Sequence, residues 1–342
     1  MTTIYDIAAR ANVSAMTVSR VINDTGRISE KTRAKVKQVM EELHYVPNQM
    51  ARSLVLQQTR ILFLLISDIT NPFFTTLSRG AEDAANNHGF HLLFGNSDES
   101  LEKEAGYIHT ILSTRVDGVL ISPAGDPSIT QLEILQNRNV PFVLLDREVP
   151  GISCDIVLGD SEEAARQLMN HLLSSGHARI ALLNGSSKVS SARLRLNGYK
   201  DVLQHHNIPI DPSLIHEASF GPQADLSRIE AWFDSLDPMP SAIVAGNNVL
   251  AVEMISLLNK RSLRVPEDIS IVCFDDFGPY SGMEPFITVA AQQAYQFGFL
   301  GMQMLIERIM NRDEAVDWKK IVLPAELIIR RSVSEKFPTA SV

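Results

Sequence analysis

A chain of 342 residues, 45% hydrophobic and 21% charged, is globular in composition and long enough for two or three domains, which excludes a disordered or collagen-like chain. Two cysteines, Cys154 and Cys273, can form no disulfide framework and match no zinc spacing. The net charge of −9 argues against nucleic acid, but the first sixty residues carry nine Lys/Arg against five Asp/Glu, a net of +4, and the remainder carries −13.

A small basic head on an acidic body suits an anionic partner, although four charges in sixty residues also arise by chance. There is no apolar run of membrane-spanning length, and no basic segment followed by a long apolar one opens the chain. The expectation is a soluble, reduced, cytoplasmic protein with no membrane partner.

The segment TIYDIAARANVSAMTVSRVIND predicts two short helices with a tight break. Thr3 and Asp6 have capping-box spacing, and Ile4, Ile7, Ala8 and Ala11 share a face. Asn12 and Val13 interrupt, Ser14 caps the second helix, and Val18, Val21 and Ile22 turn inward. Ser29 caps a third helix, SEKTRAKVKQVMEELHY, with Val36, Val39, Met40 and Leu43 inward. The polar face of the second helix carries Ala15, Met16, Thr17, Ser19, Arg20 and Asn23. Short side chains followed by an arginine suit a major groove: hydroxyls and amides bind phosphate, and arginine bonds guanine. A small helical domain with a solvated face is an equal reading of these residues alone.

After Pro47, NQMARSLVLQQT is capped by Asn48 and presents Met50, Leu54 and Val55. It reads either as a linker helix packed on the body or as a minor-groove helix whose Leu54 wedges between base pairs. A helix this short is marginal alone.

From TIYDIAARANVSAMTVSRVIN through PNQMARSL the chain resembles the DNA-binding head of the lactose-repressor/galactose-repressor family of bacterial transcription regulators, and the likeness runs over nearly the whole chain. The resemblance implies an all-α helix-turn-helix head at 1–46 and a hinge helix at 47–59. At 60–342 it implies an α/β core, two-lobed and periplasmic-binding-protein-like, with parallel sheets. It implies that Thr3, Tyr5, Ser14, Thr17, Ser19, Asn23 and Arg27 hold phosphates of double-stranded operator DNA, and that Ala15, Met16 and Arg20 read bases. The hinge residues Asn48, Ala51 and Leu54 go with these contacts, the last two in the minor groove.

The body alternates apolar runs with helical patterns. RILFLLIS, HLLFGNS, GVLIS and PFVLLD, then RIALLNG, SAIVAGNN and SIVCFDD, read as buried strands with helices between. Such alternation argues for parallel sheets with crossovers, in two similar lobes. Ligands in these folds sit beyond the carboxyl ends of the strands, here in the cleft between lobes. That rule selects Asp68, Asn71, Phe73, Phe74, Asp146, Arg147, Ser191, Arg195, Asn247 and Asp275, together with Phe220. Paired Asp, Asn and Arg beside aromatic faces resemble a carbohydrate site. For any one of them a turn cap is the more common role.

The resemblance carries Phe73, Asp146, Ser191, Arg195, Phe220, Asn247 and Asp275 to effector-contact positions and implies a small-molecule effector, a sugar or sugar derivative, with Arg195 and Asp275 gripping vicinal hydroxyls. The chain departs from the family in having Asn248 after Asn247, where Asp is usual. Gln292 and Gln293 are expected in a crossover strand, and Ala294, where some members have an aromatic, leaves a roomier pocket.

No Walker A loop, G-x-S-x-G elbow, H-E-x-x-H or C-x-x-C is present, so neither an enzyme nor a metal or other cofactor is expected. A periplasmic sugar binder would lack the head. Some family members answer to a phosphocarrier protein instead of a sugar, and that alternative stays open. The family also implies a two-fold homodimer formed through helix FFTTLSRGAEDAA and its counterpart in the second lobe. The ending SVSEKFPTASV offers no heptads for a tetramer.

Overall fold

The computed structural model describes residues 2–45, 58–221, 225–277, 285–311 and 317–336, so the expected hinge contacts Asn48, Ala51 and Leu54 lie outside the described residues. The chain divides into two units, Met1–Arg60 and Ile61–Val342.

The first unit holds α1 (Ile4–Ala11), α2 (Ala15–Asn23) and α3 (Glu30–Glu42). The Thr3 amide donates to Asp6 at 2.8 Å and the Asp6 amide to the Thr3 hydroxyl at 3.4 Å, which closes the capping box. Ser14 and Ser29 accept from the amides of Thr17 and Thr32 at 3.1 and 3.3 Å. Each cap satisfies a donor that the first turn leaves free. Ile7, Ala8, Ala11, Val18, Val21, Val36 and Val39 form the core, with Ile4, Ile22, Met40 and Leu43 partly buried around it. The third helix stops short of the expected Tyr45. His44 is left-handed at φ +47°, and the amides of His44 and Tyr45 donate to Glu41 and Met40. This double bond over a left-handed residue ends the helix before another turn can form.

The second unit is built on two six-stranded sheets. In lobe 1 the order is β11-β5-β4-β3-β1-β2, comprising β1 (Ile61–Ile66), β2 (His91–Asn96), β3 (Gly118–Ile121), β4 (Phe142–Leu145), β5 (Asp155–Gly159) and β11 (Lys320–Leu323), all parallel. In lobe 2 it is β12-β10-β9-β8-β6-β7, with β6 (Ile180–Asn184), β7 (Ile215–Glu217), β8 (Ala242–Ala245), β9 (Ser270–Phe274), β10 (Thr288–Ala291) and β12 (Glu326–Ile328). These too are parallel, except that β12 runs antiparallel to β10. The central strands are continuous buried Val/Ile/Leu runs because helices cover both faces.

Helices α4 (Pro72–Asn87), α5 (Leu101–Thr114) and α6 (Ile129–Asn137) flank the first sheet. Helices α7 (Ser161–Ser174), α8 (Ser190–His205), α9 (Leu226–Asp234) and α10 (Asn248–Lys260) flank the second. The last helix, α11 (Ala294–Met310), follows a lobe 2 strand but packs in the lobe 1 core. The chain therefore crosses between lobes three times, after β5, after β10 and after β11. The lobes are not two consecutive halves. Gln292 and Gln293 lie just past β10, in the second crossing, rather than in a strand. Helices α4 and α11 touch backbone to backbone: a Cβ on Gly298 would stand 1.8 Å from the Leu77 carbonyl oxygen, and one on Gly80 would stand 2.1 Å from that of Tyr295. Only glycine permits that approach.

Candidate functional site

In the first unit, Met16, Arg20 and Asn23 recur at i, i+4 and i+7 of α2 and so share one face. Tyr5 and Met16 are 73% and 65% exposed, large for apolar side chains at a surface. Thr3, Ser14, Arg20 and Arg27 are exposed, while Thr17, Ser19 and Asn23 are half-buried. Ala15 packs partly on the core. Arg20 and Arg27 form no ion pair among the described residues, whereas Arg33 is engaged by Asp24. Asn23 donates to Ser19 at 3.3 Å, which fixes its side chain at the end of the face.

In the second unit the strand ends converge on one cavity. It is lined by all the strand-end residues selected from the sequence, Asp68, Asn71, Phe73, Phe74, Asp146, Arg147, Ser191, Arg195, Phe220, Asn247 and Asp275, joined by Glu99. Its volume is only about 20 Å³, room for about one water. A sugar ring needs the lobes to part. A wider cavity of about 550 Å³ opens beyond Glu99, which lines both.

The Arg195 guanidinium lies between two rings, 4.3 Å from the centroid of Phe274 and 5.3 Å from that of Phe220, and donates to the Gly246 carbonyl. Burial works against its charge and lowers its pKa, opposed by Asp275 and Asp146. Asp275 accepts from Gln292 at 2.7 Å. Burial pushes its carboxyl up to about 6 against the pull of Arg195 and Gln292. Arg195 and Asp275 form no direct ion pair: one is held by the Gly246 carbonyl and the other by Gln292.

Asn247 is committed as the α10 cap and as a donor to the Phe220 carbonyl at 3.0 Å. Phe73 and Phe74 pack edge to face at 5.1 Å within the lobe 1 core. Four buried atoms on the cavity residues lack a hydrogen-bond partner: Asp68 Oδ2, Asp146 Oδ1, Arg147 Nε and Arg195 Nε. Of these Arg147 Nε lies 3.5 Å from Asp146 Oδ2 as an ion pair. The other three amount to two acceptors from lobe 1 and one donor from lobe 2.

Glu99 was not singled out from the sequence. It accepts from Arg147 at 2.6 Å within lobe 1, and from the Ser219 hydroxyl and the Phe220 amide at 3.1 Å across the cleft. It follows β2 by three residues, in a stretch that carries no strand-end motif. Other bonds also cross the cleft. Arg193 grips Asp126 at 2.7 and 3.1 Å, the Glu148 amide donates to Ser190 at 2.8 Å, and Asn248 donates to Asn71 at 3.1 Å. Among the described residues no three metal-ligating side chains cluster, and no helix is long and apolar enough to cross a membrane.

Residues 3–48 match the family model described as bacterial regulatory proteins, lacI family, and residues 169–333 match the periplasmic binding protein-like domain. The chain is 36% identical over 337 residues to the ribose operon repressor of Bacillus subtilis (strain 168), covering 98% of this chain and 100% of that protein. Among solved structures it resembles the lac repressor dimer bound to operator and the anti-inducer ONPF, with a TM-score of 0.81 and 27% identity, over 97% of this chain and 99% of the other. It also resembles the complex of the transcriptional regulator CelR with cellobiose, with a TM-score of 0.71 and 27% identity, over 97% and 100% of the two chains.

Proposed function

The chain belongs to the lacI family of bacterial regulatory proteins, which are DNA-binding transcriptional regulators, and from that premise we propose that it is a repressor controlled by a neutral sugar in the cleft of its second unit. It acts as a homodimer on a pseudo-palindromic operator, the two α2 helices entering successive major grooves. Met16, Ala15 and Arg20 meet base edges. Thr3, Tyr5, Ser14, Thr17, Ser19, Asn23 and Arg27 hold phosphates, and Asn48, Ala51 and Leu54 serve the minor groove. Apolar side chains left exposed on edge strand β2, Leu93 and Phe94, support pairing of two copies.

The observation that carries the effector reading is the trio of unpartnered buried atoms, Asp68 Oδ2, Asp146 Oδ1 and Arg195 Nε. A buried polar atom without a partner costs about 1–3 kcal/mol, so a ligand that supplies partners for all three is strongly favoured. Hydroxyls both donate to carboxylates and accept from a guanidinium. A phosphate or carboxylate only accepts, and it would face Asp68, Glu99, Asp146 and Asp275 with only Arg147 and Arg195 to offset them. The relatives' names agree: one is a ribose operon repressor and one was solved with cellobiose. Because the closed cavity holds about one water, sugar selects a more open form and acts through its differential affinity for the two.

The test is a thermal-shift screen of the full chain against neutral pentoses, hexoses and disaccharides, with their phosphates and acids in parallel. At a hundred times its dissociation constant a ligand adds about 2.7 kcal/mol to folded stability. A shift with a neutral sugar and none with its phosphate is expected. A shift only with phosphorylated or acidic sugars overturns the effector reading, and no shift with any sugar moves control to a protein coregulator.

A further inference from the structure

Asn248 is the first residue of α10 in lobe 2 and is 2% exposed. Its side-chain nitrogen donates to Asn71 Oδ1 in lobe 1 at 3.1 Å and to the Asp276 carbonyl at 3.2 Å. Both acceptors are fixed as acceptors. Asn71 caps α4, and its Oδ1 already takes the Phe73 amide, which can only donate, at 2.9 Å. The Asp276 carbonyl belongs to a residue clamped by Arg330 through two bonds of 2.8 and 2.7 Å. The amide has two hydrogens and uses both. The aspartate that the family pattern has at this position could make neither bond when ionised, setting a buried carboxylate against two oxygens, and at most one when protonated.

We infer that Asn248 is a positioning residue that latches the two lobes closed before any effector arrives, by pinning the α10 start to the α4 cap. Its bonded partner Asn71 and its neighbour in sequence Asn247 line the cavity, while Asn248 itself does not. It sets how few molecules have an open cleft, and the apparent affinity of a ligand that needs the open form is reduced in proportion to that open fraction. The inference concerns the ligand-free chain and holds whether the cleft takes a sugar, another metabolite or nothing.

The test is hydrogen exchange by mass spectrometry on the full chain with no ligand added. In Asn248→Asp, peptides over 68–74 and 246–250 are expected to exchange roughly tenfold faster or more. Peptides over the core strands, 62–65 and 181–183, are expected to keep wild-type protection. Should Asn248→Asp fail to fold, Asn248→Ala removes the donor without adding a charge and is expected to loosen the same peptides. Cleft exchange at the wild-type rate in whichever of these two variants folds overturns the latch, as does loosening spread equally over core and cleft.

Discussion

Asp146 and Asp275 hold the same place in the two lobes. Each is the first residue past a strand, β4 and β9, and each is left-handed, at φ +65° and +66°. Each amide donates to the next strand, to Val157 at 2.9 Å and to Ala290 at 3.1 Å. A left-handed residue there ends the strand and swings its side chain into the cleft, and aspartate tolerates that backbone better than most residues. Two acids thereby face one cavity from opposite sides, and the charge of Asp146 adds to the burial that makes Asp275 harder to ionise.

Asp275 makes stability depend on pH. Its carboxyl, pushed to about 6 chiefly by burial, has an ordinary value of 3.8. Between those values the folded protein keeps a proton that the unfolded chain has released. Stability is therefore lost as pH rises from about 4 to about 6 and stays lower above that, by about 3 kcal/mol. Asn cannot ionise yet still accepts from Gln292. Urea unfolding of Asp275→Asn and the wild type should agree near pH 4, with the variant more stable by up to about 3 kcal/mol at pH 7. A difference that does not change with pH would mean that Asp275 does not titrate in this range.

The sequence made the cleft legible because strand-end acids in a parallel fold have one place to go. PFVLLD and SIVCFDD each announce a buried strand and its terminal aspartate. The threefold crossing was not legible, because Thr288–Ala291, Lys320–Leu323 and Glu326–Ile328 are short and their lobe is decided by packing rather than by local pattern. Glu99 escaped for a similar reason: its partners Ser219 and Phe220 are about 120 residues away. The role of Asn248 needed coordinates as well, since only the geometry around Asn71 decides whether position 248 must donate.

Gly298→Ala should destabilise lobe 1. The new methyl has backbone against it, the Leu77 carbonyl oxygen, so no flexible side chain can yield. Overpacking of this kind costs about 1–3 kcal/mol and more where backbone must move. Thermal unfolding should fall by several degrees, while Gly106→Ala, whose Cβ meets nothing within 4 Å, should leave it unchanged or raised. Equal melting of the two variants would mean that α4 and α11 are not locked by this contact.

Arg195→Lys should abolish the response to sugar without abolishing operator binding. Lysine keeps the charge but loses the flat group held against Phe220 and Phe274 and the unpartnered buried Nε. Affinity for the sugar that shifts wild-type melting should drop about tenfold or more in calorimetry. Unaltered sugar affinity would put the effector elsewhere.

Met16 and Arg20 should leave different marks on the operator, once one has been selected from random DNA. Arg20→Ala should cost about 1–3 kcal/mol and relax preference at one guanine position. Met16 is apolar and exposed, so its natural partner in the groove is a thymine methyl. Replacing individual thymines by uracil removes only that methyl. One such replacement should weaken wild-type binding and leave Met16→Ala indifferent, since the variant has already lost the contact. If every thymine-to-uracil change affects the wild type and Met16→Ala equally, Met16 reads no base, and its exposure needs another explanation.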